Sequence, residues 1–120
     1  MKYMLIYNEL QDAFQTRDNP EVAGEYWGAW RQYMDNMGQA GIIESGAALL
    51  GPHTASLVRM SGGKRTVHDG PFADSKEQLG GFVIIEVPDL DTALDWAEQA
   101  PCAKAGSVEV RPVMPMNSGD

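Results

Sequence analysis

Residues 2–8 read KYMLIYN. Tyr3, Leu5 and Tyr7 alternate with Met4 and Ile6, so a strand built on this stretch carries large apolar groups on both faces. A strand of that kind has to be covered on both sides, which places it in the middle of a sheet.

One cover is a helix. Asn19 suits an N-cap and Pro20 suits the first helical position, where its missing N–H does no harm. Val22, Tyr26, Trp27, Trp30, Tyr33, Met34 and Met37 follow at spacings that form one apolar stripe. The helix is expected to fade between Gly38 and Gly41. The polar segment ELQDAFQTRDN, residues 9–19, reads as a loop between the strand and this helix.

Beyond it, IIESGAALLG (42–51) reads as a strand with a weak or bulged middle at Ser45-Gly46. ASLVRM (55–60) and KRTVHD (64–69) flank a Ser-Gly-Gly turn, a hairpin signal. GGFVIIEV (80–87) is β-branched and ends at Pro88. A second helix starts at Asp89 as N-cap and buries Leu90, Ala93, Leu94, Ala97 and Ala100, with Trp96 on its flank, before Pro101 closes it. GSVEVRPV (106–113) is the last strand.

The order is β-α-β, a hairpin, then β-α-β. Without the hairpin this is the ferredoxin-like split βαβ pattern, an α+β fold with two helices on one face of a largely antiparallel sheet. Residues 1–116 are expected to form one domain, with 117–120 a loosely held tail. The apolar residues on the other sheet face also need cover, and 120 residues supply no third layer. A second copy of the chain, face to face, is the expected cover, giving a homodimeric α+β barrel.

Composition narrows the function. The net charge of −8 and a sequence pI of about 4.6 argue against nucleic-acid binding, which runs on basic surfaces, and against an anionic membrane. The strand-like run from Lys2 has no apolar stretch before it, so no signal peptide is expected, and no apolar run reaches the ~20 residues of a membrane span. Cys102 is the single cysteine, so packing holds the fold, and a reducing cytoplasm is the simplest compartment.

The stretch TVHDGPFADSKEQLGGFVIIEVPDLDTALDWAEQAPCAKAGSVEVRPV resembles the DGPF-domain branch of the YCII-related protein family, and the likeness extends more loosely back to YMLIYN and GIIESGAALLGPHTASLVR. The resemblance implies a ferredoxin-like, dimeric α+β barrel. It implies a shape more than a reaction. In other branches a His–Asp pair with its histidine on the first helix is implied. Residues 19–41 here contain no histidine, so no such pair is carried over.

The stretch HDGPFADSKEQLGG (68–81) holds most of the candidate chemistry. Asp69 is either a turn former before Gly70-Pro71 or a carboxylate fixed at a strand end and facing a cleft. Phe72 either anchors the loop or forms a wall against a planar substrate. Lys76 and Glu77 are either a solvated pair or, with the loop folded over a cleft, an anion holder and a proton carrier. A histidine suits proton transfer, yet strand alternation turns His68 away from Asp69, so the two form no ordinary dyad. Glu109 and Arg111 share a face of the last strand, and Arg59 and Glu44 sit on shorter strands. These charges are read either as ion pairs or as a polar network around a small cavity. Trp27 and Trp30 are core residues or the wall of an aromatic pocket between helix and sheet.

His53, His68 and Cys102 lack metal-ligand spacing, no phosphate-binding glycine loop is present, and no cofactor is expected. The expected catalytic set is therefore Asp69, Lys76, Glu77 and His68, with Phe72, Arg111, Glu109 and Arg59 as substrate-binding residues. The chemistry expected is cofactor-independent proton transfer, isomerisation or elimination, on a small aromatic or anionic molecule. The alternative is a non-catalytic dimer that binds a small molecule or a partner protein.

Overall fold

A computed structural model describes residues 1–70 and 77–116. Four strands form one antiparallel sheet: β1 (Lys2–Leu10), β2 (Ile43–Ala48), β5 (Glu77–Glu86) and β6 (Ser107–Pro112), in the order β2-β5-β1-β6. β3 (Ser56–Ser61) and β4 (Lys64–Asp69) form a separate hairpin. The helices are α1 (Gln11–Asp18), α2 (Ala23–Ala40) and α3 (Leu90–Glu98), with one short 3-10 turn at Pro52–Thr54. The fold is the expected ferredoxin-like α+β arrangement with a hairpin inserted between β2 and β5.

KYMLIYN lies where its two-faced pattern demands, between β5 and β6. Leu5 pairs with Val83 on one side and Val110 on the other. Tyr3, Leu5 and Tyr7 face the helices and are buried with Val83, Ile85, Trp30, Tyr33, Met37, Ala93 and Ala97. The opposite face presents Met4, Ile6, Phe82 and Ile84, which are only half-buried. Removing such side chains from water yields about 25 cal/mol per Å², so one face of the sheet is satisfied within the chain and the other incompletely.

Two expectations are corrected. Residues 11–18 are helix, not loop, and bury Phe14 and Arg17. The segment is polar because its inward face carries an arginine where most helices carry a leucine. The long helix begins at Ala23 rather than at Pro20. Asn19 still performs a capping role: its side chain accepts from the Glu21 N–H at 3.0 Å and its carbonyl from the Ala23 N–H at 2.9 Å. Val22, at φ −123° and ψ −2°, interrupts the regular helical turn between them, and its side chain is exposed rather than part of the buried stripe.

Elsewhere the differences are small. The second strand stops at Ala48, and its register shift falls between Ile43 and Ser45. α3 is capped as expected, the Asp89 carboxylate accepting from the Thr92 N–H at 2.8 Å, though Leu90 and Leu94 are exposed and only Ala93 and Ala97 are buried on it. The hairpin turns at Gly62-Gly63, with φ of 55° and 77°.

Candidate functional site

The alternation that buries Tyr3, Leu5 and Tyr7 runs one step further, to Glu9. Its carboxylate is therefore directed at the helices and is 3% exposed. α1 follows β1 without a loop, so the chain reverses direction and carries Arg17 back against the strand. Arg17 Nη1 lies 3.3 Å from Glu9 Oε2, and the arginine is itself 7% exposed.

The guanidinium is held through its two terminal nitrogens, while the buried Nε meets no acceptor in hydrogen-bonding geometry. Nη2 donates to the Leu49 carbonyl at 2.5 Å and Nη1 also reaches the Gly80 carbonyl at 3.5 Å. Its plane is flanked by aromatic rings, with Cζ 4.9 Å from the Trp27 ring centre and 5.3 Å from that of Phe14. The Trp27 indole N–H donates to the Arg17 carbonyl at 3.2 Å, tying α2 to the end of α1.

The other Glu9 oxygen, Oε1, accepts a hydrogen bond from the Tyr26 hydroxyl. Burial, then the adjacent carboxylate, push the Tyr26 phenol well above its ordinary range, so it stays protonated at neutral pH. Gly80 makes this packing feasible: a Cβ there would lie 2.1 Å from Glu9 Oε2.

These groups border a cleft of about 510 Å³ between α2 and the β2–β5 edge of the sheet. Tyr26, Trp27, Trp30 and Met34 supply one wall, Ala47, Gly81 and Phe82 the other, and Arg31 stands on the exposed side of the helix at the rim. The Trp30 indole N–H is buried and meets no acceptor in hydrogen-bonding geometry. A second cavity of about 470 Å³ lies between α1, α2 and residues 101–106, and Glu9, Tyr26 and Trp30 border both. The Glu9–Tyr26 pair thus forms part of the partition between two cavities. Below it, the Tyr7 hydroxyl lies 2.9 Å from that of Tyr33, which donates to the Trp96 carbonyl at 3.1 Å.

The residues expected from sequence lie elsewhere. His68, Asp69 and Arg59 are exposed on the hairpin, where Ser56 Oγ donates to Asp69 Oδ1 at 3.1 Å. Glu109 and Arg111 are brought together, 3.4 Å apart, but on the open face of the sheet, opposite the cleft. Glu77 opens β5 beside Leu10 and is exposed. Phe72 and Lys76 lie outside the described residues, as does the tail 117–120. None of the described members of that set lines the cleft. Trp27 and Trp30 do, and Trp30 is also core. Glu9 and Arg17 were legible in part: Glu9 stands at the next same-face position after Tyr7, and Leu10, Ala13, Phe14 and Arg17 share a helical spacing.

Among the described residues no group of three His, Cys, Asp or Glu side chains is placed to hold a metal ion, and no helix is long and apolar enough to cross a membrane. Cys102 is buried, and its thiol is pushed up to about 12, first by burial and then by the Glu9 charge.

The family model of the YCII-related domain matches residues 1–117. An uncharacterised protein of Rhizobium meliloti (strain 1021) is 35% identical over 121 residues, covering 98% of this chain and 94% of that protein. Among solved structures, the chain resembles 5-chloro-2-hydroxyhydroquinone dehydrochlorinase (TftG) from Burkholderia phenoliruptrix AC1100, in complex with 2,5-dihydroxybenzoquinone. The TM-score is 0.57 at 19% identity, covering 95% of this chain and 94% of that one, and the likeness is one of fold.

Proposed function

The chain belongs to the YCII-related domain family, and from that premise we propose that it is a small-molecule enzyme carrying out cofactor-independent proton transfer, of isomerase or lyase type, in the cleft beside Glu9. The observation that carries this reading is a buried carboxylate, bonded to a phenol and a guanidinium, on the wall of an aromatic cleft.

A carboxylate with two organised partners in a water-poor site is suited to take a proton from a bound molecule. Tyr26, kept protonated, donates to Glu9 and steadies the carboxylate, which itself returns the proton it has taken to another atom of the bound molecule. Arg17 holds the carboxylate in orientation and balances its charge. The walls of Trp27 and Trp30 suit a flat ring, and the rim Arg31 suits an oxygen substituent, neutral or anionic. The dehydrochlorinase whose fold this chain shares, solved with a flat, doubly hydroxylated quinone, agrees with that substrate class.

Two further parts of the reading concern the surroundings. The sheet end that carries Glu9 is also where β5 begins, with Gln78 paired to Glu9. Glu77, exposed at the start of β5, is accordingly assigned to the edge of the site as a charged group. The half-buried face of Met4, Ile6, Phe82 and Ile84 is assigned to a second copy of the chain, with the Glu109–Arg111 pair inside that contact. The expected compartment is the cytoplasm.

The test is a screen of hydroxylated aromatics and quinones by thermal shift and by turnover. A ligand at 100 times its Kd raises stability by about 2.7 kcal/mol. For the substrate found, Glu9→Gln is expected to retain binding and to lose at least a hundredfold in kcat, while Trp27→Ala raises KM. Full turnover by Glu9→Gln sinks the assignment of Glu9. Tight binding with no chemical change in any screened compound favours the non-catalytic binding dimer.

A further inference from the structure

The second cavity shares a wall with the site just described and has no task in it. Arg17 and Gly80 lie against Glu9 Oε2, and both line the cleft. The other oxygen, Oε1, accepts from Tyr26, which borders both spaces. The Glu9 charge also acts on the Cys102 thiol, which stands in the wall of the second cavity. The carboxylate is therefore in play on both sides of the partition.

The two spaces are lined differently. The cleft has aromatic walls. The second cavity carries Asp12, Thr16 and Glu25 on the helices that frame it, and Asp12, Glu25 and Ala105 are exposed, so it opens to solvent. Its volume of about 470 Å³ is far more than one water needs, and its polar groups supply partners for a file of waters.

The chemistry needs such a file. A ring seated in the cleft keeps water from Glu9 on that side. Glu9 takes a proton from the bound molecule and becomes the neutral acid, and the electron pair left behind moves into the ring or expels a leaving group. In an isomerisation Glu9 can give the same proton back. In an elimination the leaving group departs with its electron pair, and Glu9 has to pass the proton to water before it can act again. Through the cleft alone, that waits for the product to leave.

We propose that the second cavity is the proton port of the site: water in it exchanges the Glu9 proton with solvent while the cleft is occupied. The inference rests on the proposed function and adds the route by which its base is reset.

Ala13→Leu and Thr16→Leu, alone and together, fill the port from half-buried positions on α1 that do not border the cleft. The reaction of the substrate found by the screen is run in D2O. Mass spectrometry then counts solvent deuterium in the product of an isomerisation, or in substrate recovered part-way through an elimination, corrected for exchange of the free compound. Wild type is expected to show deuterium in at least half of the molecules, and the filled variants at least threefold less, with KM within twofold. Equal deuterium in wild type and filled variants means that exchange runs through the cleft and overturns the port, as does a wild-type reaction that takes up none. A crystal structure of the full chain gives a second readout that needs no turnover. Waters in file from Glu9 or the Tyr26 hydroxyl to the rim at Asp12 and Glu25 are expected, and a dry cavity overturns the port. Full turnover by Glu9→Gln, or none by wild type on any compound, sinks the proposed function and the port together. Unchanged deuterium in an active, Glu9-dependent enzyme sinks the port alone.

Discussion

Arg17 stands 3.3 Å from Glu9 across the joint between β1 and α1, with both side chains closed off from water. Buried ion pairs are weak evidence for stability as such, but removing one partner leaves a stranded charge, which costs about 3–5 kcal/mol. Arg17→Met is therefore expected to destabilise the fold by about that amount in urea titration, the Leu49 carbonyl losing its donor as well. Glu9→Gln is expected to cost less, since the amide still accepts from Tyr26 and Arg17 keeps the Leu49 and Gly80 carbonyls. Equal costs for the two substitutions would contradict the asymmetry.

Gly80 touches the same carboxylate from the other side. The Cβ of Gly80→Ala would fall 2.1 Å from Glu9 Oε2. A free side chain would swing away cheaply, but this one is pinned by Arg17 and Tyr26. The expected cost is about 1–3 kcal/mol, typical of overpacking. In an Glu9→Ala background the added methyl has room, so a double-mutant cycle should show strong coupling. Additive costs would mean that the carboxylate moves freely.

The tyrosine pair gives an ordered prediction. Tyr33 sends its proton to the Trp96 carbonyl, so Tyr7 is the donor between the two hydroxyls. Tyr33→Phe strands the buried Tyr7 hydroxyl and the Trp96 carbonyl together and should cost about 1–3 kcal/mol. Tyr7→Phe leaves the bond from Tyr33 to Trp96 intact and should cost less. Chemical denaturation of the two variants would reverse the assignment if Tyr7→Phe proved the more damaging.

Alkaline pH probes the same core. Burial raises the Cys102 thiol from 9.0 to about 12 and the Tyr33 phenol from 10.0 to about 12, and raises Tyr7 and Tyr26 further. Between the unfolded and folded values the native state holds more protons than the unfolded chain, so stability falls as pH rises. Stability against these groups is complete below about pH 9 and declines above it, with a slope of up to about 1.4 kcal/mol per pH unit for each group. Denaturation midpoints measured from pH 7 to 11 check the direction. The Cys102 thiol should resist a thiol reagent at pH 8 until denaturant is added, and rapid labelling of the native protein would refute its burial.

Local pattern carried much of the reading. KYMLIYN announces a central strand because alternation is a property of consecutive residues, and Asp89, Gly62 and Gly63 mark a cap and a turn through their own backbone preferences. The same logic missed α1, since propensity and hydrophobic spacing both discount a helix whose buried face ends in arginine. It placed the candidate chemistry in residues 68–81, where unusual residue types cluster, whereas the cleft is built by Glu9, Arg17, Tyr26, Trp27 and Trp30.

The amino-acid sequence alone determined the order of the elements other than α1, the sheet's two apolar faces and the family. Only the tertiary structure decided that Glu9 and Arg17 meet in a buried pair, that Tyr26 closes it from α2, and that Gly80, seventy-one residues away along the chain, leaves the space. The reason is physical. Strand and helix periodicities are written in neighbouring residues, but a site is made by side chains whose separation in sequence bears no relation to their separation in space. Their charges become chemically distinctive only once the surrounding chain has removed the water.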